Sequence, residues 1–418
     1  MITEEAQPYP VAGQDFGDWV AGHLSLSYYK ESMPIMKKEH RRYHQKVVCF
    51  FLSLGLGGII LLLGGCGPRT VKIGFIGGLS GYYADLGIAG RNGLRLALEE
   101  ANKNKEMAGV VFQLIAEDDK QDPEEARRAY KRLVASHVVA IVGPMTSSMA
   151  MAIVPEANGG TIPLISPTVS TPDLNGKDDM FLRVVAPSTQ EAQVLASLAV
   201  QEGYHRALVV FDSTNQAFSE NMVRNFVLQF ETEWRQKQEP FWVQPIRYDP
   251  REEKARHSVV EAVQQNGPEV VVFITTSIDT ALLAQYLRKA GFAVPLLGTG
   301  WGMSQALIEN GGAAVEGMRF CIPFNPNATA QEWRKFKDLY LEKYGVIPDF
   351  AASQGYLAGR VVVEALKRGE PRSIKENILK IKEFQGPQGT IRFDSYGDPT
   401  TELHVLEIRN GQFVTLKR

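Results

Sequence analysis

From Thr70 onward the chain alternates short, wholly apolar runs with longer stretches in which apolar residues return every three or four positions. The first pattern predicts strands buried on both faces, and the second predicts amphipathic helices packed against them. Residues 70–77 (TVKIGFIG) read as a strand ending in Gly-Gly, 91–102 (RNGLRLALEEAN) as a helix and 110–117 as the next strand. Asp122-Pro123-Glu124-Glu125 is a good helix start, with Asp as N-cap, Pro in the first turn and Glu three residues on. That helix is expected to run to about Ser136. A short apolar strand at 138–142, a helix at 147–157 and a strand at 162–165 follow.

A second series repeats the alternation. Helices are expected at 189–201, 217–236, 252–265 and 280–290, with strands at 206–211, 241–248, 269–275 and 294–297 between them. Repeated βα units with short connections argue for parallel, doubly wound sheets. There are too many strands for one compact sheet, so two lobes are expected. After Cys321 come helices at 331–344 and 351–368 and strands at 389–393 and 403–408. No low-complexity linker separates the halves. The expected partition is 66–187 plus 322–385 for an N-terminal lobe and 188–321 plus 386–418 for a C-terminal lobe.

The stretch ahead of Thr70 has a different pattern. MKKEHRRYHQK is followed by the uncharged VVCFFLSLGLGGIILLL and then GGCGPRT. A cationic stretch, an apolar stretch and small residues describe a secretory signal over 36–65. Leu63-Gly64-Gly65-Cys66 resembles the bacterial lipoprotein lipobox, which implies lipidation of Cys66 and cleavage before it. An uncleaved membrane anchor is the alternative reading of the same run. Both export and tether the folded part, at the periplasmic or extracellular face of the membrane. Residues 1–35 lack periodicity and read as a disordered leader or a mis-assigned start.

Composition narrows the function. At 418 residues, 44% hydrophobic and 22% charged, the chain is an ordinary globular protein of two or three domains. Forty-five basic against 47 acidic side chains provide no global cationic field, so nucleic acid is not an expected partner. Seven His and 3 Cys show no metal-ligand spacing, and neither a metal nor a cofactor is expected. Cys321 alone belongs to the folded part, where burial in a strand is its expected role. Gly298-Thr299-Gly300-Trp301-Gly302 begins like a dinucleotide fingerprint, but Met303 stands where the third Gly belongs. No Walker lysine or G-x-S-x-G elbow appears, and an enzyme is not expected.

Candidate chemistry lies at the carboxyl ends of strands, where helix N-termini offer free N–H groups. Three loops stand there: Gly77–Tyr83, Gly143–Ser148 and Ser166–Pro172, the last two carrying seven hydroxyls between them. Hydroxyls beside unpaired N–H groups make a neutral receptor for a small carboxylate. Each Ser or Thr taken alone is explained as well by helix or turn capping.

These loops also carry a family resemblance. IGFIGGLSGYYADLG, AEDDKQDPEEARRAYKRLV, VVAIVGPMTSSMA, IPLISPTVSTPDL, FLRVVAPSTQEAQVLA, LLGTGW, VEGMRF and GTIRFDSYGD, in this order, resemble the type I periplasmic binding proteins, in particular the branched-chain amino-acid-binding proteins of ABC transporters. The resemblance implies an α/β fold of two Rossmann-like lobes with three crossings, closing on a ligand that is handed to a membrane permease. It implies Ser147, Thr168 and Ser170 as the ligand head-group residues of the first lobe. On the second lobe it implies Phe218, where many members have Tyr, and a contact loop at Thr276-Ser277. Many amino-acid binders carry an acid for the ligand ammonium near Gly300-Trp301, where this sequence has none. Asp212, Asp279 or Asp85 could supply it, or Trp301 could offer a cation–π face. Trp301, Tyr82, Tyr83 and Phe218 suggest an apolar or aromatic pocket. The expectation is a monomeric, lipid-anchored solute-binding protein for an amino acid or a related small carboxylate or amide. A sensor reporting ligand to a signalling partner is the alternative.

Overall fold

The computed structural model describes residues 68–416, so the expected leader, signal segment and Cys66 lie outside the described residues. The first sheet holds β1 (Arg69–Gly77), β2 (Val110–Asp118), β3 (Ala140–Val142), β4 (Leu164–Ser166) and β5 (Phe181–Arg183) in the order β2-β1-β3-β4-β5, all parallel. Helices α1 (Ala84–Lys103), α2 (Pro123–Ala135) and α3 (Ser147–Asn158) make the connections. β3 is buried throughout, which is why its sequence is apolar without alternation. The expected cap of α2 forms, with the Glu125 N–H donating to the Asp122 carboxylate at 2.7 Å and Pro123 in the first turn.

The second lobe repeats that topology. β6 (Arg206–Asp212), β7 (Trp242–Tyr248), β8 (Val270–Ile274), β9 (Leu296–Thr299) and β10 (Arg319–Ile322) run parallel in the order β7-β6-β8-β9-β10. Helices α4 (Thr189–Gln201), α5 (Gln216–Lys237), α6 (Ala255–Asn266), α7 (Ser277–Lys289) and α8 (Gln305–Gly311) accompany them. Beyond β10, α9 (Gln331–Tyr344), α10 (Phe350–Lys367) and α11 (Ile374–Ile381) lead to an antiparallel sheet of β11 (Glu383–Gly386), β12 (Gly389–Phe393) and β13 (Pro399–Thr400). β14 (His404–Arg409) and β15 (Gln412–Thr415) then extend the second sheet beside β10. The chain thus passes between lobes three times: after β5, after β10 and after β13. Cys321 is buried in β10. No helix among the described residues is long and apolar enough to cross a membrane.

Two expectations are corrected. Strand β12 was expected with 386–418 in the second lobe, but Ile391 and Phe393 pack into the core of Val71, Ile73 and Phe75 in the first. Buried Arg183 of β5 also holds Asp398 at 2.7 Å, so the second lobe resumes only at β14. Helix α1 starts at Ala84 rather than residue 91, because Gly87, Gly90 and Gly93 lower the helical signal. Those glycines are contact surfaces. A Cβ on Gly87 would lie 1.9 Å from the Gly78 carbonyl oxygen, and one on Gly93 would lie 2.0 Å from that of Ala352.

Both sheets reverse strand order beside their first strand, between β1 and β3 and between β6 and β8. Such reversals open a crevice at the carboxyl ends of the strands, and here the two crevices face one another.

Candidate functional site

The first lobe contributes two loops. After β3, Gly143–Thr146 leads into α3, whose N-cap Thr146 is extended and makes no capping bond. Its hydroxyl donates instead to Gln121 at 2.8 Å. Ser147, the first helical residue, is buried, and its hydroxyl has no hydrogen-bond partner among the described residues. After β4, the Ser166 hydroxyl donates to the Pro144 carbonyl at 2.7 Å and accepts from the Val169 N–H at 3.0 Å, tying the two loops together. Thr168 donates to the Met145 carbonyl at 2.5 Å. A hydroxyl has one proton, so toward an anion Thr168 can offer its backbone N–H but not its hydroxyl proton. The buried Ser170 hydroxyl, like that of Ser147, has no hydrogen-bond partner among the described residues.

Arg183 explains why the second loop holds this shape. Its fully buried guanidinium donates to the Thr171 carbonyl at 2.8 Å, to Asn175 and to Asp398. Burial pulls its pKa down, and the Asp398 charge opposes that shift. A cation at the back of the loop thus pins Val169–Thr171 from below.

The second lobe contributes an aromatic wall. Phe218 lies in the first turn of α5, and Trp301 lies in the short turn after β9, edge-on to Phe218 at 5.4 Å between ring centroids. Asn215, Gly300 and Ile322 complete that side. Ser147, Thr168 and Ser170 line one cavity with Phe218 and Trp301. Five of the seven expected ligand residues are therefore brought together.

Tyr83 and Ser277 are not among that cavity's lining residues. The Tyr83 hydroxyl donates across the cleft to Asp212 at 2.9 Å and also bonds Thr214, while its ring stacks on Trp301 at 6.0 Å. Ser277 donates to Asp85 at 2.9 Å, again between lobes. Further cross-cleft bonds run from the Ser148 N–H to Asn215 (3.0 Å) and from Asn221 to Asp173 (2.9 Å). The lobes are closed on each other.

None of the three aspartates considered for a ligand ammonium lines the cavity. Asp212 is wholly buried and occupied by Thr214 and Tyr83, and burial pushes its carboxyl up to about 6. Asp279 accepts from Tyr248 (2.7 Å) and Thr276 (2.8 Å). Asp85 holds Ser277 and lines a neighbouring cavity behind Trp301 with Asp349.

The residue that sequence reasoning missed is Glu191. It sits in the first turn of α4, immediately after the first crossing, with 8% of its surface exposed. One carboxylate oxygen accepts from the Gly300 N–H at 2.9 Å. Burial pushes its carboxyl up to about 7, and the Gly300 N–H opposes that shift. In sequence it looks like an ordinary first-turn acid complementing the helix dipole.

A sequence-family profile for periplasmic binding proteins matches residues 70–412. A leucine-, isoleucine-, valine-, threonine- and alanine-binding protein of Pseudomonas aeruginosa is 22% identical over 340 residues, covering 79% of this chain and 87% of that protein. The crystal structure of a leucine-binding protein, LivK, from Thermotoga maritima superposes with a TM-score of 0.76 at 25% identity, covering 83% of this chain and 98% of that one. An ABC-transporter solute-binding protein from R. palustris, solved in complex with benzoate, gives a TM-score of 0.74 at 22% identity, covering 83% and 95%.

Proposed function

The chain belongs to the periplasmic binding proteins, of the type I kind that includes the Leu/Ile/Val-binding proteins, and on that premise we propose that it is the extracytoplasmic solute-binding component of an ABC transporter. The family binds solutes and performs no turnover, so the chain is not an enzyme. Its solute is an amino acid or a related small carboxylate or amide, held between the lobes and delivered to a membrane permease. One observation carries this reading. Two serine hydroxyls without a partner among the described residues, at the start of α3 and in the following βα loop, share a cavity with an aromatic wall from the opposite lobe. The helix N-terminus and the Ser147 and Ser170 hydroxyls receive the carboxylate, and Phe218 and Trp301 receive the apolar part. Tyr83 and Ser277 act on closure rather than on the ligand.

A thermal-shift screen of amino acids, small carboxylates and amides tests this reading. A ligand that binds only the folded form at 100 times its Kd adds about 2.7 kcal/mol of stability. No shift with any member of the panel refutes it. The anchor is supported by the lipobox-like Leu63-Gly64-Gly65-Cys66. Cys66→Ser should abolish incorporation of labelled palmitate, and label still entering that variant would refute the anchor.

A further inference from the structure

We infer that Glu191 is a cation subsite of the cleft and that it restricts the solute to molecules carrying a positively charged amine beside their carboxylate. The inference rests on the solute-binding reading above and narrows its substrate class.

Three observations carry it. First, Glu191 is the one ionisable side chain among the described residues lining the cavity that holds Ser147, Ser170, Phe218 and Trp301. Second, it is buried without a protein cation: no Lys, Arg or His among the described residues pairs with it, and its bond is to a neutral backbone N–H. A buried carboxylate without a counter-charge is costly, and such groups are kept where a ligand or a proton supplies the charge. Third, the carboxylate is held in place. The Gly300 N–H donates to one carboxylate oxygen at 2.9 Å, and Gly300 itself packs against Ile322 so closely that a Cβ there would lie 2.6 Å from that side chain. The bond spans 109 residues, from the start of α4 to the turn after β9.

The cavity therefore has two chemically opposite receptors. The α3 N-terminus with Ser147 and Ser170 suits an anion, and Glu191 suits a cation. A zwitterion satisfies both. A plain carboxylate satisfies only the first and leaves Glu191 buried as before. The carboxyl's position near 7 fits a group waiting for a positive partner, since an ammonium beside it would draw the value down.

The test is isothermal titration of wild type and Glu191→Gln with three pairs differing only in the amine: L-leucine and 4-methylpentanoate, L-valine and 3-methylbutanoate, L-phenylalanine and 3-phenylpropanoate. Wild type should prefer the amino acid of at least one pair by tenfold or more. Glu191→Gln should bring that preference within about threefold, with the des-amino partner bound as well as before or better. Retention of the preference in Glu191→Gln overturns the subsite. So does a wild-type preference for the des-amino member, an outcome that leaves the solute-binding reading standing. Binding of none of the six, with no response in the wider panel, overturns both. The wild-type comparison needs no variant, so it decides the matter even if Glu191→Gln folds poorly.

Discussion

Tyr83→Phe separates a residue that closes the cleft from one that touches the solute. Tyr83 belongs to the first lobe, and its hydroxyl donates to the buried Asp212 of the second at 2.9 Å. The two groups meet only when the lobes are closed, so the bond favours the closed state. A hydrogen bond to an ionised group contributes about 1.5–3 kcal/mol. Asp212 keeps its bonds from the Thr214 N–H and hydroxyl, which places the loss toward the lower end. Where the open form dominates without ligand, the whole loss appears in apparent affinity, so Kd should rise roughly 10- to 100-fold. The ring is preserved, and with it the stacking on Trp301. Titration calorimetry across ligands of different side chain should therefore show one common factor. Where the closed form already dominates, the loss appears instead as an expanded ligand-free protein in small-angle scattering. Below about pH 6 the gap should narrow, because Asp212, raised to about 6 by burial, becomes neutral and the bond weakens. A factor that varies more than about fivefold between ligands would return Tyr83 to the ligand. No change in either affinity or dimensions would remove it from closure.

Ser147→Ala combined with Ser170→Ala should weaken binding by a few kcal/mol, about 1–2 for each charge-assisted hydrogen bond lost. The melt of the free protein should not move, because neither hydroxyl has a partner among the described residues; unchanged affinity would remove the anion receptor. Asp398→Ala strips a buried guanidinium of its counter-ion and should cost about 3–5 kcal/mol in a urea melt, with the Ser170 loop loosened; a loss below about 1 kcal/mol would contradict the pinning role of Arg183. Amino-acid affinity should depend on pH through Glu191. The ligand needs the ionised carboxyl, whose value without ligand is about 7, so affinity is full above that and falls up to tenfold per unit as pH drops through it. Asp349, raised to about 6 by burial, lies in the neighbouring cavity with Asp85. A fall that persists in Glu191→Gln would therefore point to Asp349 or to Asp212 at the closure bond.

What the sequence reveals and what it hides divide by the range of the interaction that sets each feature. β3 is legible because burial on both faces leaves only apolar residues, and α2 because its cap lies within three residues. The paired hydroxyl loops are legible because strand ends and helix starts are local signals. The start of α1 is hidden, since its glycines serve contacts with Gly78 and Ala352 rather than the helix itself. The lobe to which β12 belongs is hidden for the same reason: its partners, Val71 to Phe75, lie some three hundred residues upstream.

The site itself divides along the same line, and the division concerns chemistry as much as prediction. The anion-receiving side needs only what two neighbouring βα connections supply, the helix start with Ser147 and the following loop with Ser170, so each half can be read from one short segment. A cation receptor needs a carboxylate that stays buried without a protein counter-charge, and no single segment displays burial. In Glu191 it arises because the first crossing brings the start of α4 to the turn after β9, where the Gly300 N–H holds the carboxylate. Aspartates that looked available in sequence are consumed by local partners: Asp212 by Thr214, and Asp279 by Thr276. A short-range partner satisfies a carboxylate and removes it from binding. The glutamate without one is left with an unmet charge facing the cavity, which is the condition a cationic solute requires.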